Sequence, residues 1–115
     1  MDNYTIDDKD YKIEEQTSDM FRVRVFIDEK LPYFDGHFDN FKLLPAIAQV
    51  RIVLDIYKSI FSRDFSINKL LKLKFVNMIF PNTNITIECH CLNNILSFKI
   101  YDEDKKYSDG KVYFA

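Results

Sequence analysis

The stretch Tyr33 to Val50, YFDGHFDNFKLLPAIAQV, holds the residues best suited to chemistry. Gly36 is one of only two glycines in the chain, and it stands directly before His37. An imidazole titrates near neutral pH, so it can take up a proton and give it back. A glycine beside it permits backbone angles and a close approach that a side chain would forbid. Farther on, Pro45 can open a helix, because a first-turn N–H has no intrahelical partner to lose. Such a start offers unpaired amides and the positive end of a helix dipole. Taken alone, a loop histidine is more often a packing residue. A Gly-His-Phe run leading into a proline-opened helix favours catalysis or substrate contact for His37.

Other candidate groups carry less. Cys89-His90-Cys91 has the residue types of a zinc ligand set. Successive strand residues point to opposite faces, however, and two thiols without a second pair do not complete a tetrahedral site. The expectation is therefore no metal, with Cys89 and Cys91 in the core and His90 a lone strand residue. Lys69, Lys72 and Lys74 read as a solvated strand face that would also attract an acidic partner. Phe61, Phe65, Phe75 and Phe80 could line a tunnel for an apolar ligand chain, since such pockets are mainly apolar, or serve as plain core.

The elements that must position these groups can be read from periodicity. Residues 1–9 form a loose start, and Tyr11–Glu15 a short first strand. Phe21, Val23, Val25 and Ile27 share one face of a strand at period two. Leu31 to Asn40 is a loop marked by Pro32 and Gly36. From Pro45 to Phe61 the pattern is apolar on most sides, interrupted by Gln49, Arg51, Asp55, Lys58 and Ser59. A helix of that kind is buried. Four strands follow: Ile67 to Ile79, with Leu71, Leu73 and Phe75 alternating against lysines; Ile85 to Leu92; Ile95 to Tyr101; and Lys106 to Ala115. Short turns join them at 80–84, Asn93-Asn94 and 102–105. The order implies an α+β domain, a mostly antiparallel sheet packed on one helix.

Bulk properties set the bounds. A chain of 115 residues suits a single domain spanning residues 1–115. With 47% apolar and 30% charged residues it should fold and stay soluble. A net charge of −2 argues against a nucleic-acid surface. No apolar run approaches the roughly 20 residues that span a bilayer. The acidic, polar N-terminus is unlike a signal peptide, and the expected location is the cytoplasm. Two nearby cysteines fit a reducing compartment.

With those elements in place, the sequence resembles the hotdog-fold 3-hydroxyacyl-[acyl-carrier-protein] dehydratases. Phe34-Asp35-Gly36-His37-Phe38 matches the opening of their motif, and Leu43-Leu44-Pro45 matches the part before the helix. Lys74-Phe75-Val76-Asn77-Met78-Ile79-Phe80-Pro81-Asn82 is similar to a second family segment, and Ser108 to Phe114 to the last strand. Gln49 is similar to the aryl-polyene subgroup. The resemblance implies a hotdog fold, a sheet wrapped around one central helix, acting on carrier-protein or coenzyme A thioesters without metal or cofactor. It implies a homodimer with sites between subunits, in fatty acid or polyene biosynthesis. His37 would take the α-proton. The Ala46 N–H would donate to the thioester oxygen, where the family has glycine. Gly36, Phe38, Gln49 and Arg51 would contact substrate.

One part departs from the pattern. The family's helix carboxylate lies fourteen positions beyond the histidine, and here that position is Arg51. A guanidinium stays protonated and is a very poor general acid. Asp55, one turn on, is expected to form an i, i+4 ion pair with Arg51, contributing about 0.3–0.5 kcal/mol if exposed. Four readings stay open: a dehydratase with a different acid, a thioesterase-like hydrolase, a non-catalytic acyl-carrier binder, and an inactive partner in a heterodimer.

Overall fold

A computed structural model describes residue 6, residues 8–31, residue 34 and residues 43–115. The elements are β1 (Tyr11–Gln16), β2 (Met20–Ile27), α1 (Ala46–Phe61), β3 (Ile67–Phe75), β4 (Thr83–Leu92), β5 (Ile95–Tyr101) and β6 (Lys106–Phe114). The six strands form one antiparallel sheet in the order β1-β2-β4-β5-β6-β3. The chain crosses from β2 through α1 to the far edge of the sheet, then returns to its centre at β4. This is the hotdog arrangement, and it agrees with the α+β expectation.

The period-two reading of β2 holds residue by residue. Phe21, Val23, Val25 and Ile27 are all fully buried. Their neighbours on β4, Cys89, Ile87 and Ile85, are buried in the same layer. Leu96, Phe98 and Ile100 extend that layer onto β5. Against it lie Ile52, Val53 and Ile56 of α1, each at most 1% exposed. A fully buried aliphatic side chain of this kind contributes about 1.5–3 kcal/mol relative to exposure. The β4–β5 hairpin closes at Asn93 and Asn94, with φ of 53° and 63°. Positive φ at both central residues gives the twist that suits a two-residue hairpin, and asparagine tolerates it.

Three details differ from the sequence reading. Pro45 is the residue before the helix, extended at φ −61° and ψ 152°, so the first helical residue is Ala46. The helix is not buried all round: Gln49 is 3% exposed, whereas Ile47 is 69% exposed. Finally, β3 stops at Phe75, short of Ile79. Its pairing with β6 slips between Leu71 and Lys74, where Lys72 adopts a positive φ of 56°. A bulge of this kind breaks the inside–outside alternation. Leu71 and Phe75 are consequently exposed, while Leu70 and Leu73 pack inward. Leu73 lies over Gly110 of β6, where a Cβ would collide with its side chain.

Candidate active site

Gly36, His37 and Phe38 lie outside the described residues, so the site is built from the helix that follows them. Ala46 and Ile47 are exposed at its start. No side chain caps that start among the described residues, and its first turn carries no acidic residue. The positive end of the dipole thus meets no acidic side chain from its own first turn.

The segment leading into the helix is tied down on its inner side. The Leu44 N–H donates to the Ile79 carbonyl at 2.8 Å, joining it to the stretch after β3. Gln49 Nε2 donates to the Leu44 carbonyl at 3.4 Å. The Ser108 hydroxyl on β6 donates to Gln49 Oε1 at 2.8 Å. Ser108 is wholly buried. Gln49 therefore spends its amide beneath the helix start, between the incoming chain and the sheet. Ser108 escaped the sequence reading, although Ser108, Gly110 and Val112 share one face at period two and two of them are plainly core positions.

Arg51 and Asp55 lie on the other side of the helix. The anticipated pair forms, with Arg51 Nε 3.7 Å from Asp55 Oδ2. The exposure expected for it does not hold for both members: the Arg51 side chain is 40% exposed, but that of Asp55 only 16%. Asp55 Oδ2 is buried and has no hydrogen-bond partner among the described residues, since 3.7 Å is an ion-pair distance. Burial raises the pKa of Asp55, offset in part by Arg51 and by the Ile6 N–H. Both side chains border a groove of about 390 Å³ whose walls are mostly apolar, among them Ile47, Leu54, Phe65 and Leu70. Of the four phenylalanines weighed for an acyl tunnel, Phe65 lines this groove. Phe61 packs against Phe21 and Tyr57 instead.

The remaining reactive groups are elsewhere. Cys89 is fully buried, and burial pushes the Cys91 thiol up to about 11, so both are thiols at neutral pH. His90 points outward to Glu88, Nε2 to Oε2 at 3.1 Å. No group of three metal-ligating side chains occurs among the described residues. Nor is any described helix long and apolar enough to cross a membrane.

The ApeI-like family, described as ApeI dehydratase, matches residues 13–111. The chain belongs to this dehydratase family. Its fold is similar to that in the dehydratase heterocomplex ApeI:P from Xenorhabdus doucetiae, with 22% identity over 97% of this chain and 98% of that one, and a TM-score of 0.83. Thioesterase superfamily member 2 from Mus musculus shares the fold at 11% identity, over 90% of this chain and 80% of that one, with a TM-score of 0.68. The dehydratase domain from the CurF module of curacin polyketide synthase does so at 18% identity, over 90% and 42%, with a TM-score of 0.65. The chain matches no curated protein.

Within an ApeI-like chain the two faces of α1 have separate tasks. One holds Gln49 against Ser108 and the incoming loop. The other presents Ile47, Arg51 and Asp55 beside an open apolar groove.

Proposed function

We propose that the protein dehydrates 3-hydroxyacyl thioesters carried by an acyl-carrier protein or coenzyme A, in fatty acid or polyene assembly in the cytoplasm. His37 removes the α-proton as general base. The Ala46 N–H, at the positive end of α1, stabilises the oxygen of the enolate that forms. Gly36 and Phe38 contact the substrate. The supporting observation is the helix start at Pro45–Ala46, eight positions beyond His37 in the sequence, with no side-chain cap among the described residues and adjoining an apolar groove. In chemistry of this type, prearranged donors that stabilise the developing negative charge commonly account for more of the rate enhancement than any other single effect.

The working form in this reading is a homodimer. Support comes from β3, an edge strand whose outer side pairs with no strand among the described residues, where Ile67, Leu71 and Phe75 are 46%, 38% and 39% exposed. An edge of this kind is a template for pairing with another chain. A second reading, an acyl-carrier-binding subunit without chemistry, is favoured by one observation, the guanidinium of Arg51 at the family's carboxylate position.

Incubation with a 3-hydroxyacyl thioester separates the readings. A dehydratase produces the conjugated enoyl thioester, and His37→Ala abolishes it. Free thiol released instead marks a hydrolase. Carrier binding without turnover by the wild type leaves only the binding subunit.

A further inference from the structure

The donor assigned to the thioester oxygen, the Ala46 N–H, belongs to the peptide unit that joins Pro45 to Ala46. That unit is planar and trans, so its carbonyl and its N–H point in opposite directions. The Pro45 carbonyl accepts from the Gln49 N–H at 3.1 Å, which is the first bond of the helix. It therefore points along α1, and the Ala46 N–H faces outward from the helix start. How firmly that direction is kept depends on what holds Pro45 and the residue before it.

Leu44 is held at both of its backbone groups. Its N–H donates to the Ile79 carbonyl at 2.8 Å, and its carbonyl accepts from Gln49 Nε2 at 3.4 Å. Gln49 thus grips two successive carbonyls, that of Pro45 with its main chain and that of Leu44 with its side chain. A carbonyl can only accept, so Leu44 takes the amide nitrogen and leaves Oε1 to the Ser108 hydroxyl at 2.8 Å. Both side chains are buried. Deprived of Ser108, Oε1 becomes a buried acceptor without a partner, and turning the amide to find another releases Leu44. The second tie of Leu44 runs to the same place. The Val76 and Asn77 N–H groups donate to the Tyr107 carbonyl at 2.9 and 3.3 Å, anchoring the stretch that carries Ile79. Tyr107 and Ser108 are neighbours on β6, so one point of the sheet secures the chain entering the helix.

We propose that Ser108 is a positioning residue for the reaction, which through Gln49 aims the Ala46 N–H at the thioester oxygen. This inference rests on the dehydratase reading above. Ser108 itself touches no reacting atom, and no bond to it forms or breaks. Its effect falls on the step in which negative charge gathers on the thioester oxygen, because a prearranged donor helps most where charge develops. A donor aimed wrongly weakens the transition state more than the bound substrate, so kcat falls while KM changes little.

Kinetics well below the melting temperature of each variant test this, with a 3-hydroxyacyl thioester as substrate. Ser108→Ala should lower kcat about 10- to 100-fold and leave KM within about twofold. Gln49→Leu should lower kcat by a similar factor, and the double variant no further, because the two residues form one link. Each single variant carries the test alone if the other does not fold. The infrared carbonyl stretch of the bound enoyl thioester supplies a second readout. It should lie below the free value in the wild type, where the donor polarises the carbonyl, and return toward that value in Ser108→Ala. A lowered melting temperature with kcat and carbonyl stretch both as in the wild type overturns the assignment and leaves the dehydratase reading intact. So do losses in kcat that multiply in the double variant. A wild type that does not dehydrate the thioester overturns that reading, and the assignment with it.

Discussion

Two carboxylates in this chain occupy opposite situations. Glu88, on the outer face of β4, accepts from the Tyr101 hydroxyl at 3.0 Å on one oxygen and contacts His90 Nε2 at 3.1 Å on the other. The hydrogen bond from His90 and that from Tyr101 hold its pKa below the ordinary value against partial burial. Asp55 has one oxygen buried without a hydrogen bond, and burial drives its pKa up. Glu88 thus has both oxygens engaged inside one chain. The flank formed by α1 and β3 differs: it carries a carboxylate with one oxygen lacking a hydrogen bond among the described residues, an apolar groove and a strand edge with no pairing strand among them. The difference is one of surroundings: hydrogen-bond donors lower the pKa of one carboxyl, and burial raises that of the other.

The largest test compares the two regions by truncation. Ile87, at the centre of the sheet, is fully buried. Ile87→Ala should cost about 2–5 kcal/mol in denaturant unfolding, through lost transfer energy and the cavity left behind. Leu71 on the open edge is 38% exposed. Leu71→Ala should cost less than about 1 kcal/mol in dilute protein, and weaken self-association at higher concentration. Equal losses for the two variants at every concentration would show that the edge is part of the monomer's own core.

Next in size is the link beneath the helix start. Ser108→Ala leaves Gln49 Oε1 buried without its donor, and should cost about 1–3 kcal/mol. Combining it with Gln49→Leu should cost less than the sum of the single changes, because both ends of the bond are then removed. Additive losses would mean that the 2.8 Å contact contributes little.

These variants also mark how far the sequence could be read. The alternation of Phe21, Val23, Val25 and Ile27 set the core face of β2 without ambiguity, because a pleated strand has only two faces. The paired asparagines announced the β4–β5 turn. In β3 the same rule failed, since a single residue at positive φ shifts every later side chain, and Lys72 carries no glycine-like mark of it. The helix misled in another way. Gln49 looked like a polar interruption, and a hydrogen bond to Ser108, 59 residues away, is invisible to local pattern. The Arg51–Asp55 pair was legible from i, i+4 spacing. The burial of Asp55 was not, because it depends on parts of the chain distant in sequence, among them the Ile6 N–H that donates to its carboxyl.

A smaller effect is expected at Glu88. A carboxyl held below its ordinary pKa of 4.5 in the folded chain adds stability above that pH. The contribution is lost as pH falls through the folded-state value. Stability curves taken downward from pH 6 should be steeper for the wild type than for Glu88→Gln, by under about 1 kcal/mol in all, since the pair is partly solvated. Parallel curves would mean that His90 and Tyr101 do not favour the ionised form.

The smallest effect has the opposite sign and belongs to Asp55. Its pKa is raised above the ordinary 3.8, so its protonated form is the one that folding favours. That contribution is complete below the unfolded pKa and is lost as pH rises through the folded value. The groups facing the carboxyl limit its size: Arg51 and Lys58 on the helix and the Ile6 N–H all favour ionisation. Wild-type stability should therefore decline relative to Asp55→Asn on raising the pH above about 4, by no more than about 1 kcal/mol. Denaturant unfolding of dilute protein at several pH values measures it. Identical profiles for wild type and variant would mean that Arg51 solvates the carboxylate as fully as water does, and the contrast between the two carboxylates would be lost.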